Sequence, residues 1–139
     1  MENFRRTITI NTSKEGEMVD ITGELREAIV ASKMSNGLAC MFVPHSTAAL
    51  ITIEYEPGLQ GDIKKALDRL IPKDTEYGHH LTWGDGNGHS HVRSSFLGAS
   101  LTVPFHEGVA DLGTWQQVVL VELDIKRRSR KVVIQLIGE

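Results

Sequence analysis

Apolar and polar positions alternate in ways that predict both strands and helices in the first third of the chain. Residues 7–10 alternate polar and β-branched apolar side chains, which predicts a half-buried strand. From Ile21 onward apolar residues recur at helical spacing, which predicts a helix that ends near Asn36 and Gly37. The continuous apolar run at residues 37–43 predicts a central strand buried on both faces.

The rest of the chain adds a second helix and several strands. Residues 48–53 form another apolar run, and Ile63, Ala66, Leu67 and Leu70 mark an amphipathic helix. Three strand-like segments at the end of the chain predict a closing meander (residues 100–105, 118–123 and 132–137). No repeat or linker composition divides the chain. The pattern therefore predicts one α+β domain over residues 1–139.

Charge and composition exclude several classes of partner. The formal charge is -3, from 15 basic and 18 acidic residues, so nucleic acid is not expected as a partner. No window approaches the roughly 18 apolar residues of a membrane span. The single cysteine, Cys40, lies in an apolar run, which predicts a buried thiol and a cytoplasmic protein. The basic cluster at residues 126–131 is interpreted as a solvated hairpin tip.

Candidate chemistry concentrates in the weakly apolar, glycine-containing segment at residues 73–89, which is longer than most connections and therefore predicts a functional loop. His89 and His91, two positions apart, would share a face only in an extended segment. In the first turn of a helix they would diverge by about 200°. A short helix is favoured here, so His91 is the expected inner ligand of a metal site, with further ligands from His45 and from His79 or His80.

Carboxylates and anion-binding side chains complete the candidate set. Asp85 and Glu122 could orient a metal ligand or transfer protons. Ser46, Arg93 and Ser94 offer hydroxyl and guanidinium groups that suit phosphate or carboxylate oxygens. No Walker loop or dinucleotide fingerprint is present.

Several long motifs resemble one known family over nearly the whole chain. They lie at residues 42–50, 85–95 and 100–104, with further matches at 112–116 and 121–124. Together these motifs resemble the YjbQ-like family. The resemblance implies an α+β subunit of mostly antiparallel β-sheet layers with two main helices, assembled as a homotrimer.

The resemblance also implies a site and an activity. It places His45, His79 and His91 around a pocket that takes a divalent metal such as zinc, and it implies a weak thiamine-phosphate synthase activity. His80 departs from the family pattern, which often has Asp at this position, and residues 124–126 replace an Asp-Gly-Pro turn.

Two functional hypotheses follow. In the first, the three histidines bind the metal of an enzyme, Asp85 or Glu122 assists, and the Ser46, Arg93 and Ser94 group holds a small phosphorylated or anionic metabolite. In the second, the protein is a non-catalytic trimeric module that binds a small anionic metabolite.

Overall fold

A computed structural model describes all of residues 1–139 as eight strands and four helices. Their order along the chain is β1 (Glu2–Asn11), β2 (Met18–Asp20), α1 (Thr22–Ser32), β3 (Gly37–Phe42), β4 (Ala48–Ile53), α2 (Pro57–Leu70), α3 (Gly78–Trp83), α4 (Gly88–Leu97), β5 (Ser100–His106), β6 (Val109–Ala110), β7 (Gln117–Glu122) and β8 (Ser129–Gly138). No helix combines the length and hydropathy needed to cross a membrane.

The strands form two sheets in which all neighbouring strands are antiparallel. The larger sheet has the order β1-β8-β3-β5-β6, and the smaller has the order β2-β7-β4. One face of the smaller sheet shares a core with the larger sheet and α1, through residues such as Leu50, Leu120 and Ile134. Its other face packs against α2 and α4 around Leu67. The predicted α+β class is therefore confirmed.

The first helix ends earlier than predicted. It stops at Ser32 because Lys33 adopts a left-handed conformation (φ 62°) and its N–H donates to the carbonyl of Val30. Gly37 has a different role, since a Cβ at this position would lie 2.3 Å from the carbonyl oxygen of Ile137. Gly37 therefore permits the close approach of β3 and β8 and does not end the helix.

The prediction that β3 is buried on both faces is wrong for the isolated subunit. Ala39 and Met41 are fully buried, whereas Leu38 and Phe42 are each 45% exposed. Cys40 lies on the same exposed face, so the expected burial of its thiol is also wrong. A strand can be central in its sheet and still have one face that no other layer covers.

Besides the two main helices, α4 corresponds to the short helix that was favoured around His91, whereas α3 forms within the stretch predicted as a loop and was not expected. α3 carries two large side chains that are mostly exposed, Leu81 and Trp83, and it therefore shows no amphipathic period. α2 begins about one turn before the predicted start, and Pro57 is its first helical residue. Glu56 caps this end, because its carboxylate accepts hydrogen bonds from the N–H groups of Gly58 and Leu59, both at 2.7 Å.

The tight approach at Gly37 yields a stability prediction. Gly37→Ala is expected to destabilise the fold by about 1–3 kcal/mol, because the new methyl group would overlap the carbonyl of Ile137 and the ring of Phe105. Gly23→Ala, in α1 with no atom within 4 Å of its Cβ, is the matched control and is expected to be neutral or slightly stabilising. Urea unfolding of both variants checks this, and equal stabilities would contradict it.

Candidate functional site

Three loops meet around an open polar cavity of about 640 Å³ that has no hydrophobic residue in its lining. The loops are the β3–β4 connection, the α3–α4 turn and the β7–β8 hairpin. The lining residues are Pro44, His45, Ser46, Thr47, Asp85, Asn87, His91, Asp124, Arg128, Ser129 and Arg130. Such a lining suits a polar or charged ligand.

The smaller sheet brings these loops to one end of the molecule. Ala48 and Glu122 pair across β4 and β7, so the residues that flank them meet at the same edge. The backbone N–H of Leu123 donates to the carbonyl of Thr47 at 3.0 Å. α4 is fixed to the same edge, because the hydroxyl of Ser94 donates to the carbonyl of Ala48 at 2.7 Å.

A buried ion pair forms the floor of the cavity. Glu122 is fully buried and accepts hydrogen bonds from both Nε and Nη2 of Arg130. The same carboxylate accepts from the Thr12 hydroxyl at 2.7 Å and from the Asp124 backbone N–H at 3.0 Å. Arg130 also donates to the carbonyl and hydroxyl of Thr47. Glu122, a predicted proton-transfer residue, therefore lies beneath the cavity and is not part of its lining.

A second ion pair lies beside the first. Arg128 donates to Oδ2 of Asp124, with N–O distances of 2.8 Å from Nε and 2.7 Å from Nη2. Burial alone would raise the pKa of Asp124, but hydrogen bonds from the Ile125 N–H, Arg128 and Asn87 outweigh it and hold this pKa below its ordinary value. Asp124 is consequently a stable carboxylate at neutral pH.

His45 lies in the cavity wall as a neutral imidazole. Its Nε2 accepts a hydrogen bond from the backbone N–H of Lys131 at 2.9 Å. Burial, followed by the positive charge of Arg130, lowers its pKa, and Glu122 only partly opposes this shift. Because the Nε2 lone pair is occupied, the proton of the neutral ring is assigned to Nδ1. Nε2 of His45 would have to lose its hydrogen bond from the Lys131 N–H before it could bind a metal.

His79 and His91 lie side by side, with ring centroids 4.4 Å apart and planes inclined at 34°. Nδ1 of His79 is 3.2 Å from Oδ1 of Asp85. The pKa of His91 is lowered first by burial and then by His79, against the opposing charges of Asp85 and Asp124. A neutral His91 is the form that can bind a metal or accept a proton.

The other two candidate histidines hold the start of α4. His89 is fully buried, and its Nε2 lies 2.6 Å from Oε1 of Glu15, whose other oxygen accepts from Lys73 at 2.8 Å. Nε2 of His80 accepts from the backbone N–H of Gly88 at 3.1 Å. His91 thus lines the cavity and His89 does not, which is the arrangement that the helical geometry favours.

The predicted anion-binding residues are separated in the structure. Ser46 lines the cavity. Arg93 instead donates to the carbonyl of Ile71 at 2.9 Å and to Asp68 at 3.2 Å. Ser94 bonds to Ala48, as described above, so neither residue belongs to the lining. Both side chains anchor α4 against its neighbours.

Outside the segment around His45 and Ser46, sequence reasoning missed five residues of the lining: Asn87, Asp124, Arg128, Ser129 and Arg130. The signal for Arg130 was present, because it shares the alternation of β8 with Val132, Ile134 and Leu136, all of which are buried. Residues 126–131 are therefore not only a solvated hairpin tip.

The junction of α3 and α4 is not saturated by hydrogen bonds within the protein. Four buried side-chain atoms make no hydrogen bond within the protein, and all lie between residues 79 and 90: Nδ1 of His79, Oδ1 of Asn87, Nδ1 of His89 and Oγ of Ser90. The 3.2 Å contact between His79 and Asp85 is within ion-pair distance but lacks hydrogen-bond geometry. Unpaired buried groups are uncommon and often mark functional sites. No group of three or more His, Cys, Asp or Glu side chains in the chain has a geometry ready to hold a metal ion.

The titration of His91 yields a prediction for the metal-free protein. Its pKa lies below 6.5 in the folded state, so the unfolded chain binds the proton more readily and His91 lowers stability as pH falls through about 6.5. His79→Gln removes a repulsive charge and should raise the pKa of His91, although burial still keeps it below 6.5. Ring-proton NMR titration in the presence of a chelator measures this, and an unchanged pKa would contradict it.

The buried ion pair yields a second prediction. Arg130→Met is expected to cost about 3–5 kcal/mol, because it leaves the buried Glu122 carboxylate without its charge partner. The double variant Arg130→Met/Glu122→Leu should recover most of this loss, whereas Lys131→Met, at the exposed next position, should change little. Urea unfolding measures all three. Equal losses in the single and double variants would contradict the argument.

The comparisons with known proteins agree with this architecture. The family model for UPF0047 protein YjbQ-like matches residues 6–139. A UPF0047 protein of Methanothermobacter thermautotrophicus is 37% identical over 139 residues, which cover 100% of this chain and 95% of the relative. One from Methanocaldococcus jannaschii is 38% identical over 131 residues, covering 94% and 91% of the two chains.

Solved structures show the same fold. A YbjQ-like protein of unknown function from Sulfolobus solfataricus P2 has a TM-score of 0.89 and 35% identity, covering 99% of this chain and 100% of its own. An uncharacterised conserved protein of Clostridium acetobutylicum has a TM-score of 0.86 and 33% identity, with coverages of 95% and 99%. The chain therefore belongs to the YjbQ-like family.

Proposed function

We propose that this member of the YjbQ-like family is a metal-dependent enzyme that acts on a small phosphorylated or anionic metabolite. The observation that carries the proposal is the pair of adjacent imidazoles, His79 and His91, beside Asp85 at a cavity lined only by polar residues and proline. The reaction type, a weak thiamine-phosphate synthase activity, is proposed from the family resemblance.

Imidazole nitrogens are ligands that a divalent metal such as zinc prefers, although these side chains would have to move closer together to hold it. His79 and His91 would supply two of them, and His45, from the same lining as His91, would supply a third on release of the Lys131 N–H. Asp85 lies next to Nδ1 of His79, where a carboxylate orients the ring. A bound divalent ion would polarise a substrate oxygen and neutralise the charge of a departing diphosphate.

The residues of the chain divide the remaining tasks. Asp85 is the group in the lining that could hold a proton during transfer, because the metal would occupy the lone pair of His91. Glu122 cannot exchange a proton with a ligand directly, because it is fully buried and accepts four hydrogen bonds. Its role in this proposal is to hold Arg130.

A homotrimer and a cytoplasmic location are part of the same proposal. The exposed face of the larger sheet supports the assembly, because Leu38 lies opposite both Ile137 and Pro104 and all three are exposed. A contiguous apolar patch of this kind is commonly covered by another chain. A second copy of the protein would provide that cover.

The alternative is a non-catalytic trimeric module that binds a small anionic metabolite. One observation favours it: both buried or half-buried carboxylates of the β7–β8 hairpin, Glu122 and Asp124, are already paired with arginines. Asp85 would then be the one carboxylate of the lining without an arginine partner. A single such carboxylate leaves few groups for acid-base catalysis.

Metal binding is tested by titrating Zn²⁺ into protein that has been treated with a chelator. His91→Ala is expected to weaken Zn²⁺ binding by more than about 100-fold, and Asp85→Asn by about 10-fold, because the first removes a ligand and the second an orienting partner. His106→Ala is the control, since this exposed histidine bonds to Asn36 and neither residue belongs to the cavity lining. Equal affinities for the His91 and His106 variants would exclude the proposed site.

Catalysis is tested by supplying an activated pyrimidine diphosphate and a thiazole phosphate and measuring thiamine phosphate. Turnover that requires metal and disappears in His91→Ala, while the subunit assembly measured by light scattering is unchanged, supports the enzyme. If the parent protein shows no turnover under any metal condition, the binding module is supported instead.

A further inference from the structure

Arg130 presents one edge of its guanidinium to the cavity while the other edge is fixed in the core. The side chain is only 4% exposed, and its Nε and Nη2 atoms make all of its hydrogen bonds. Nη1 makes no hydrogen bond within the protein and is not fully buried. Arg130 lines the cavity, which is the open space available to this nitrogen.

Arg128 repeats the arrangement two residues earlier in the same hairpin. Its Nε and Nη2 atoms are held by Oδ2 of Asp124, and its Nη1 likewise has no protein partner. Asp124 and Glu122 are themselves two residues apart at the end of β7, so the two ion pairs stand side by side. Each carboxylate fixes one guanidinium edge and leaves the other directed away from it.

Hydroxyl donors stand in the same lining. Ser46 and Ser129 are exposed lining residues, and their hydroxyl groups make no hydrogen bond within the protein. Thr47, by contrast, is committed to Arg130 and Asp124. The cavity therefore offers four groups with free donors, all on the β3–β4 loop and the β7–β8 hairpin.

We propose that Arg128 and Arg130, with the Ser46 and Ser129 hydroxyls, bind the phosphate group of a small phosphate ester. The proposal deepens the proposed function, on which it rests for the choice of ligand class, and it assigns the anion to this hairpin and not to Arg93 and Ser94. Two guanidinium edges and two hydroxyls match the several oxygens of a phosphate better than the two of a carboxylate.

Recognition at this site depends on directed donors more than on net charge. Each arginine is already neutralised by its carboxylate partner, so the local field is not strongly positive. The carboxylates of Asp85 and Asp124 also line the cavity, and the second of them is held on the Arg128 side. A rigid set of N–H groups binds an oxyanion without the entropic cost of ordering free side chains.

The test titrates inorganic phosphate into the full-length protein with all metal removed by chelator, and follows backbone amide shifts at residues 45–47 and 128–130. Arg128→Gln is expected to weaken phosphate binding by about tenfold, the loss of one charge-assisted hydrogen bond. Arg127→Gln is the matched control, because it removes the same charge from the adjacent, exposed position outside the lining. This variant should stay within about twofold of the parent protein.

Further variants keep the test decisive. Arg130→Lys preserves the charge but not the fork, and should also weaken binding by about tenfold. If the Arg130→Lys variant fails to fold, Ser46→Ala and Ser129→Ala test the same phosphate site without altering the buried ion pair. Acetate, titrated in parallel, should bind more weakly than phosphate.

Three results would overturn the proposal: phosphate shifts that appear elsewhere or not at all, equal losses in the Arg127 and Arg128 variants, or acetate binding as tightly as phosphate. The absence of metal separates the two proposals. If the protein binds phosphate but not Zn²⁺, the phosphate site stands and the metal site is excluded. If it binds Zn²⁺ but not phosphate, only the phosphate site is excluded.

Discussion

The ion pair between Glu122 and Arg130 is the contact on which the rest of the site depends. It joins the end of β7 to the start of β8, and through Thr12 and Thr47 it also fixes the end of β1 and the β3–β4 loop. Two desolvated charges cost several kcal/mol unless every lone pair and N–H is satisfied, and here the carboxylate receives four hydrogen bonds. The ion pair thus ties the cavity walls to the core beneath them.

The strands could be predicted from local pattern because β1 and β8 alternate buried and exposed positions, whereas β4 and β7 are continuous apolar runs. β1 and β8 pair along their full length, from Glu2 opposite Gly138 to Asn11 opposite Ser129. Helix ends were less predictable, since the segment that follows the left-handed Lys33 is held by hydrogen bonds from the N–H groups of Ser35 and Asn36 to the carbonyl of Glu139. That contact joins distant parts of the chain, and no local signal announces it.

The site was predictable where a side chain's direction follows from local geometry, and not where tertiary contacts decide its use. The helical phase at residues 88–97 separates His89 from His91, and the structure places one in the core and the other at the cavity. Arg93 and Ser94 have side chains that suit an anion, but both donate hydrogen bonds to backbone carbonyls of segments that neighbour α4. For Arg130 the alternation of β8 predicted burial, yet an arginine in a basic cluster is most simply interpreted as solvated.

The same residues contribute to stability and to the proposed recognition in this cavity. Arg130 bonds to the core through Nε and Nη2, which leaves Nη1 for a ligand. The backbone N–H of the next residue, Lys131, donates to Nε2 of His45. If a metal were to bind at His45, that backbone hydrogen bond would have to break, and metal binding would then be coupled to the position of the β7–β8 hairpin. Because the same hairpin carries Arg128, such a shift would extend to the arginine side chains of the cavity.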